Sequence, residues 1–395
     1  MEEMGDRPGS LTIAAVGDVA MLAPPGPALW REVWDGADVR LANLEGVVLA
    51  EHHSAADKLV RIRLPEEEGR WLADLGVTAV SLANNHMLDW GSQSVDHTRR
   101  LLAASRVGAA GAGADRDEAE APLVFEGRGL RVAFLSWACT VPPGFAAAPD
   151  HPGIAALRIR SWYAVESGLQ EEQPGTPPNV RTEPIEDDLR RLEARLAQAR
   201  AEADVVLLSI HWGVPPQWRA PFQPAVAEYQ IAIAERAARA GADAILGHHP
   251  HAPEGMGVVT VREADTQAAR SVPVLYSLGN FIFHPEYSQG GLEVEGGPDG
   301  ELPPLTASNH ETCVAVLDVR TAGGRSRVVG VRLETGVLDA RGEAMRPDPA
   351  TRTRVARRLE QGSRALGADV SVVDGCVVWQ SPDAAWGVQR GGQSA

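Results

Sequence analysis

Three histidines within four residues, His248, His249 and His251, follow an apolar run at 243–247. A short continuous apolar run bounded by a turn reads as a buried strand. Imidazoles at its end are poor packing material. Pro250 stiffens the link between His249 and His251, so one metal, or a metal and its surroundings, can take both rings. A histidine-rich polar turn is the plainer alternative, and the other polar clusters of the chain argue against it. Strands buried on both faces occur almost only in parallel sheets covered by helices, which limits the folds open to this chain.

The same pattern recurs along the sequence. Apolar runs at 11–16, 38–42, 77–83, 204–210 and 272–278 end at Gly17-Asp18, Asn43-Leu44-Glu45, Asn84-Asn85-His86, His211-Trp212-Gly213 and Gly279-Asn280, the last followed by His284. A further strand is expected at 129–136. Between them lie helical signals. Pro65 and three glutamates suit a first turn, where the missing N–H is harmless and acids complement the dipole, and Gly76 closes that helix. Residues 91–105 and 224–240 read as helices, and Pro184 opens one whose stripe is Ile185, Leu189, Leu192, Leu196 and Ala199. Alternating strands and helices imply an α/β domain with its ligand beyond the carboxyl ends of the strands.

Some segments break the alternation. The run Gly108 to Gly113 superficially matches a dinucleotide fingerprint, but no strand is expected before it and no helix opens from it, so that reading is rejected. Segments 141–183 and 285–309 are rich in Pro, Gly and mixed charge, too long for plain connections, and are expected to be lids or binding loops. A hairpin is expected at 312–320 and 327–334, turning at Gly323-Gly324, and the tail beyond 350 offers a helix and a strand-like stretch at 370–379. The expected organisation is one domain over 1–340 with an extension at 341–395.

Composition excludes several functions. With 395 residues, 44% hydrophobic and 23% charged, the chain can bury a sizeable core. A net charge of -16 opposes a nucleic-acid partner and a peripheral membrane anchor. There is no apolar run of spanning length, and the first residues lack the basic and apolar regions of a signal peptide. Cys139, Cys313 and Cys376 are odd in number and far apart, without metal or disulfide spacing. A cytoplasmic protein is expected.

Five strand tips thus carry Asp18, Glu45, Asn85-His86, His211 and His249/His251, all residue types that bind divalent metals. Carboxylate and amide oxygens favour Mn, Ca or Mg and imidazole favours Zn or Fe, so the set leaves the metal open. Together with Asp89-Trp-Gly91 and the stretch from Tyr276 to Phe281, these motifs resemble the CapA family, named for poly-γ-glutamate capsule synthesis and related to calcineurin-like metallophosphoesterases. The resemblance covers roughly residues 11–285. It implies a calcineurin-like four-layer α/β/β/α sandwich with metal at the strand tips. It also implies that Glu45, Asn85, His211 and His249 form one metal site, that Asp18, Glu45 and His251 form part of a second, and that His86 is an acid oriented by Asp89. Two positions depart from the phosphoesterase pattern. Ala20 stands where those enzymes place a histidine, and Val214-Pro215-Pro216 follows His-Trp-Gly where many relatives carry glutamate.

Within the family the chain resembles the lasso-peptide epimerases, which invert the C-terminal tryptophan of a precursor peptide. The partner implied is the C-terminal region of such a peptide. The cofactor is one divalent ion, calcium favoured by the resemblance over manganese and zinc. Removing a Cα proton beside a carboxylate builds up negative charge that a cation must offset. A pyridoxal route needs a lysine, and Lys58 is the only one. A two-thiol route needs a facing cysteine pair. Metal with two opposed acid/base groups remains, and the candidates are His86 with Asp89 and His251 with Asp18. Arg61 and Arg63 are candidates to hold a substrate carboxylate, and His284 and His310, flanking the second loop, to line the site. His52, His53, His97 and His151 read as surface residues. A metallophosphoesterase or peptide hydrolase, and a peptide-binding module without catalysis, are the alternatives.

Overall fold

The computed structural model describes residues 9–58, 60–220, 223–262, 269–284 and 306–382. Two sheets stand face to face. In the ten-stranded sheet, Ser10–Ala20 pairs in parallel with Val39–Leu44, which pairs with Ala79–Ser81, and that with Gly108–Ala110. On its other side Ser10–Ala20 pairs antiparallel with Glu311–Ala322, followed by Arg325–Leu338 and Cys376–Gln380. In the six-stranded sheet, Val205–His211 lies between Leu130–Ala138 and Ala244–His248, both parallel to it. Ala269–Leu275 continues the parallel run, and Met256–Arg262 and Leu123–Gly127 close the edges antiparallel.

Side-chain alternation sets the layers. Leu11, Ile13 and Ala15 pack with Phe134, Leu207 and Leu246 of the facing sheet, forming the core between the sheets. Their neighbours Ala14 and Val16 pack with Leu72, Val95 and Leu102 of helices Glu68–Asp74 and Ser92–Ala104. On the far side, Leu135, Leu208 and Ile245 pack with Leu189, Leu192 and Leu196 of helix Glu186–Glu202 and with Ile233 and Ala237 of helix Glu228–Ala240. The result is the expected α/β/β/α sandwich. Burying each such side chain is worth about 1.5–3 kcal/mol. A one-residue slip would turn every one of them to the wrong face, so register is strongly fixed.

One close approach positions the later site. An added Cβ at Gly17 would sit 1.7 Å from the Gly279 carbonyl oxygen, and the Asp18 N–H donates to that oxygen at 2.9 Å. Asn280 is thereby set opposite Asp18 in strand Asn280–Phe283.

Several expectations need adjusting. Segment 141–183 is no simple insertion. Phe145, Ala147 and Ile154 through Leu157 are buried in the core, and a Cβ at Gly153 would meet the Phe145 carbonyl oxygen at 2.5 Å. Small residues there pack backbone against backbone, which apolar counting overlooks. Only the second half projects, as the hairpin Ile159–Ala164 and Asn179–Pro184 around helix Ser167–Glu172. Pro184 still pairs as a strand residue with Ile159, so the next helix begins at Glu186. The helix expected from 224 begins at Glu228. Gly108 lies in a strand of its own. The hairpin does turn at Gly323-Gly324, both with positive φ. Residues beyond 341 supply helix Pro349–Ala365, capped by Asp348, and strands Ser371–Val373 and Cys376–Gln380, which extend the ten-stranded sheet. Most of the second expected loop, 285–305, lies outside the described residues. Among the described residues, no helix is long and apolar enough to cross a membrane.

Candidate metal centre and its imidazole–carboxylate pairs

The parallel strands of both sheets end at the same edge of the sandwich, and their tips meet there. Asp18 sits where the pairing of Ser10–Ala20 is irregular on both sides, the kind of bulge that re-aims a side chain. Asn43 and Glu45 follow on the next strand, and the Glu45 N–H donates to the Val19 carbonyl at 2.9 Å. Asn84 then stitches the third tip down. Its amide donates to the Leu44 carbonyl at 2.7 Å, and its Oδ1 accepts from the His86 N–H at 3.0 Å. From the facing sheet come His211 and, one turn past Ala244–His248, His249 and His251 with φ of 97° and 54°. Positive φ at a bulky residue is strained and persists only where the surroundings enforce it.

Glu45 is the centre of the group. It is fully buried, and among the described residues neither carboxylate oxygen has a hydrogen-bond partner. One atom each from Glu45, His211 and His249 lies within 4.8 Å of the others, and the same holds for Asp18, Glu45 and His251. Asn85 Oδ1 is 2.7 Å from His211 Nε2, and His249 Nδ1 is 3.1 Å from that same nitrogen. A buried carboxylate without a donor is costly unless a cation compensates. Four acceptor groups around one point are what a divalent ion requires, and the donor set fits one.

The electrostatics reflect this crowding. Burial pushes the Glu45 carboxyl well above its ordinary value. Burial and the neighbouring imidazoles hold His211 well below its own, and burial with His251 nearby takes His249 to about 3. His248, whose Nδ1 is 3.6 Å from Asp18 Oδ1, is lowered by burial to about 4. His251 goes the other way: burial opposes its charge, but the Glu45 and Asp18 carboxylates outweigh it and raise the ring to about 9. Asp18 is likewise pushed up by burial, but the hydrogen bond and charge of His251 bring it below its ordinary value.

Two imidazoles face Glu45 in similar fashion. His86 Nδ1 lies 2.6 Å from Asp89 Oδ2, and His86 Nε2 lies 3.7 Å from Glu45 Oε1. His251 Nδ1 lies 2.8 Å from Asn280 Oδ1 and 3.3 Å from Asp18 Oδ2, and its Nε2 is again 3.7 Å from Glu45 Oε1. In each case a carboxylate sits beside Nδ1, which favours the proton there and leaves Nε2 toward the centre.

The structure thus gathers Asp18, Glu45, Asn85, His86, Asp89, His211, His249 and His251. The other candidates are placed differently. Arg61 is buried, donates to the Ala56 carbonyl at 2.9 Å and lies over the Trp90 ring. Arg63 is exposed on strand Arg63–Leu64. His284 accepts from the Leu22 N–H at 2.8 Å, with Nε2 3.5 Å from Glu343. His310 ends the short turn Ala307–His310 with its side chain exposed. Sequence reasoning missed Asn43, whose amide donates to Asp18 Oδ1 at 2.8 Å, and Asn280. Their positions at strand tips were the available signal. It also missed Lys58, which donates to the Asp89 carboxylate and to the Asn85 carbonyl.

A family model described as "Bacterial capsule synthesis protein PGA_cap" matches residues 12–285. An uncharacterized protein of Sinorhizobium fredii is 28% identical over 326 residues, covering 69% of this chain and 66% of the relative. The capsule biosynthesis protein CapA of Bacillus anthracis is 26% identical over 250 residues, 62% of this chain and 51% of that one. A probable polyglutamine synthesis accessory protein of Mycobacterium tuberculosis is 29% identical over 271 residues, 65% and 61% of the two chains. The chain therefore spans about half to two thirds of the length of these relatives. Among solved structures, the calcineurin-like phosphoesterase YfkN from Bacillus subtilis aligns over 89% of this chain and 97% of that one, with 14% identity and a TM-score of 0.39.

Proposed function

The chain belongs to the bacterial capsule synthesis protein PGA_cap family, and from that premise we propose that it is a metal-dependent, cytoplasmic peptide epimerase. Its substrate is the C-terminal region of a ribosomal lasso-peptide precursor, with tryptophan the first candidate for the residue inverted at Cα. One observation carries this reading: two imidazole–carboxylate pairs, His86–Asp89 and His251–Asp18, turn Nε2 toward the same Glu45 oxygen, each from 3.7 Å. Inversion requires a base on one face of Cα and an acid on the other, and two such pairs around one shared oxygen would supply them. The ring that takes the Cα proton becomes an imidazolium stabilised by its carboxylate. The opposite ring delivers a proton from its Nε2 to the other face.

Glu45, Asn85, His211 and His249 would hold one divalent ion. When bound, it would supply positive charge beside the terminal carboxylate, where negative charge accumulates. Two oxygens and two imidazoles suit manganese or zinc on donor chemistry, while calcium rests on the family resemblance.

One observation favours phosphoester hydrolysis as a second reading. The group Asp18, Glu45 and His251 shares Glu45 with the first, and these three residues would hold a second divalent ion. Ala20, two residues after Asp18, offers no ligand. The deciding experiment incubates the protein with candidate precursor peptides in deuterated water, reading mass and chirality, beside a phosphodiester assay. One deuterium gained with inversion is the expected result. Phosphodiester cleavage without exchange, or peptide binding without exchange, overturns the epimerase reading.

A further inference from the structure

Among 37 lysines and arginines, Lys58 is the sole lysine, and it is placed where an arginine would serve poorly. Its side chain is only 14% exposed. The ammonium donates to Asp89 Oδ1 and to the Asn85 carbonyl, stands 3.4 Å from His86 Nδ1, and lies 5.1 Å from the centre of the Phe145 ring. Asp89 is fully buried and its two oxygens are divided between partners. Oδ2 lies beside His86 Nδ1 at 2.6 Å and accepts from the Ile62 N–H at 2.7 Å, and Oδ1 takes Lys58. Without Lys58, Oδ1 would be a buried, unpaired acceptor. A buried acceptor left without its donor costs free energy, and the hold of the carboxylate on His86 would loosen.

We propose that Lys58 is a positioning residue. It locks the Asp89 carboxylate, and through it the tautomer and tilt of the His86 ring. By holding the Asn85 carbonyl it also fixes the turn that presents the Asn85 side-chain oxygen to His211. The inference rests on the reading of His86 as an acid/base group and concerns how that ring is held. A compact ammonium with three divergent N–H groups can meet a carboxylate oxygen and a carbonyl from one point, whereas the planar fork of arginine points its donors in one plane. Phe145 shields the contact from water and favours the cation over its face.

A single lysine makes the test clean. Lys58→Met, Lys58→Arg and Lys58→Cys are prepared, the last with and without 2-bromoethylamine, which rebuilds an ammonium on a thioether stem. The native thiols of Cys139, Cys313 and Cys376 are buried, and peptide mapping checks that the reagent adds at position 58. The first readout needs no turnover: nitrogen-15 spectra of the His86 ring should show a proton held on Nδ1 in the parent protein and a tautomer mixture in Lys58→Met. The second is kinetic. Lys58→Met should lose about a hundredfold in kcat, the scale of a general base, with KM within about threefold and metal content unchanged. Aminoethylation should restore most of the loss, and Lys58→Arg should not recover it. A ring tautomer unchanged in Lys58→Met overturns the proposal. So does a loss that merely follows metal content, or a Lys58→Arg variant equal to the parent. If Lys58→Met fails to fold, the soluble Lys58→Arg variant carries the same ring measurement. Absence of any peptide exchange in the parent protein would sink the epimerase reading and leave the ring measurement standing.

Discussion

At the scale of single residues, His86 and His251 look alike in distance but not in setting. His86 has a carboxylate partner in its own turn, Asp89 at 2.6 Å. His251 shares Asp18 with Asn43 and the His249 N–H. His86→Gln should therefore cut inversion by about a hundredfold or more while elemental analysis finds the metal content unchanged. His251→Gln separates two roles. Inversion lost with metal retained marks it as the second acid/base group, and metal lost with it marks it as a ligand. A different residue tests the geometry alone. Gly17→Ala would drive a methyl group to within 1.7 Å of the Gly279 carbonyl oxygen, and the cost, about 1–3 kcal/mol or more, should appear as a lower urea midpoint. Because Asp18 and Asn280 ride on those two backbones, metal affinity should fall as well. The measurement is chelator competition at a temperature where the variant is folded.

At the scale of elements, the base of the projecting hairpin is tied to helix Glu186–Glu202 by the ion pair of Arg158 with Asp188, beside the pairing of Arg181 with Glu228. Arg158 donates to Asp188 through Nε at 2.7 Å, Nη2 at 2.8 Å and its own N–H at 2.9 Å. Burial pushes the Asp188 carboxyl up, but these hydrogen bonds and the charge of Arg191 bring it below its ordinary value. A carboxyl depressed in the folded protein stabilises above its unfolded pKa, about 3.9, and that contribution is lost as pH falls through the folded value. Asp188→Asn should cost about 2 kcal/mol near neutral pH, and the gap to the parent should narrow once both are melted in urea below about pH 4. The elements themselves were largely legible. Strands 11–16, 204–210 and 243–247 announced themselves because they are buried on both faces and carry no alternation. Residues 145–157 hid because their packing relies on Gly153 and alanines, which bring backbone against backbone and leave little apolar signal. Helix starts were misjudged by two to four residues at Pro184 and Pro224 (Glu186 and Glu228 are the first helical residues). Proline suits a last strand residue as well as a first turn. Asn43 and Asn280 could be found only as positions at tips. Lys58 could not be found at all, since nothing local links residue 58 to Asp89.

At the scale of the whole molecule, the sandwich brings two independently hydrogen-bonded sheets to one edge and buries two acids there. Asp18 and Glu45 are both fully buried, and among the described residues only Asp18 has hydrogen-bond donors: the Asn43 amide, the His249 N–H and the His251 ring at 3.3 Å. The tips of each sheet are built by its own strands, so the sheets can form without an ion, but Glu45 then remains a buried carboxyl with no hydrogen-bond donor among the described residues, its nearest imidazoles 3.6 and 3.7 Å away, and this disfavours the folded state. A bound divalent ion removes that penalty and adds mass-action stabilisation of about 2.7 kcal/mol at a hundredfold excess over Kd. Chelation should accordingly lower Tm by a few degrees, and readdition of calcium, manganese or zinc should restore it in the order of their affinities. Glu45→Gln separates the two contributions. Without metal the variant should be as stable as the chelated parent or more so, because a neutral amide replaces a buried carboxyl that has no hydrogen-bond donor among the described residues. With metal it should gain little. Thermal melts of both proteins with and without metal, paired with elemental analysis, read this directly, and about one ion per chain is expected in the parent. Two ions per chain would mean that Asp18, Glu45 and His251 hold a second without help from position 20. Loss of stability in chelated Glu45→Gln relative to the chelated parent would mean that the Glu45 carboxylate is stabilised by the protein itself, and the centre would then not be organised around a cation.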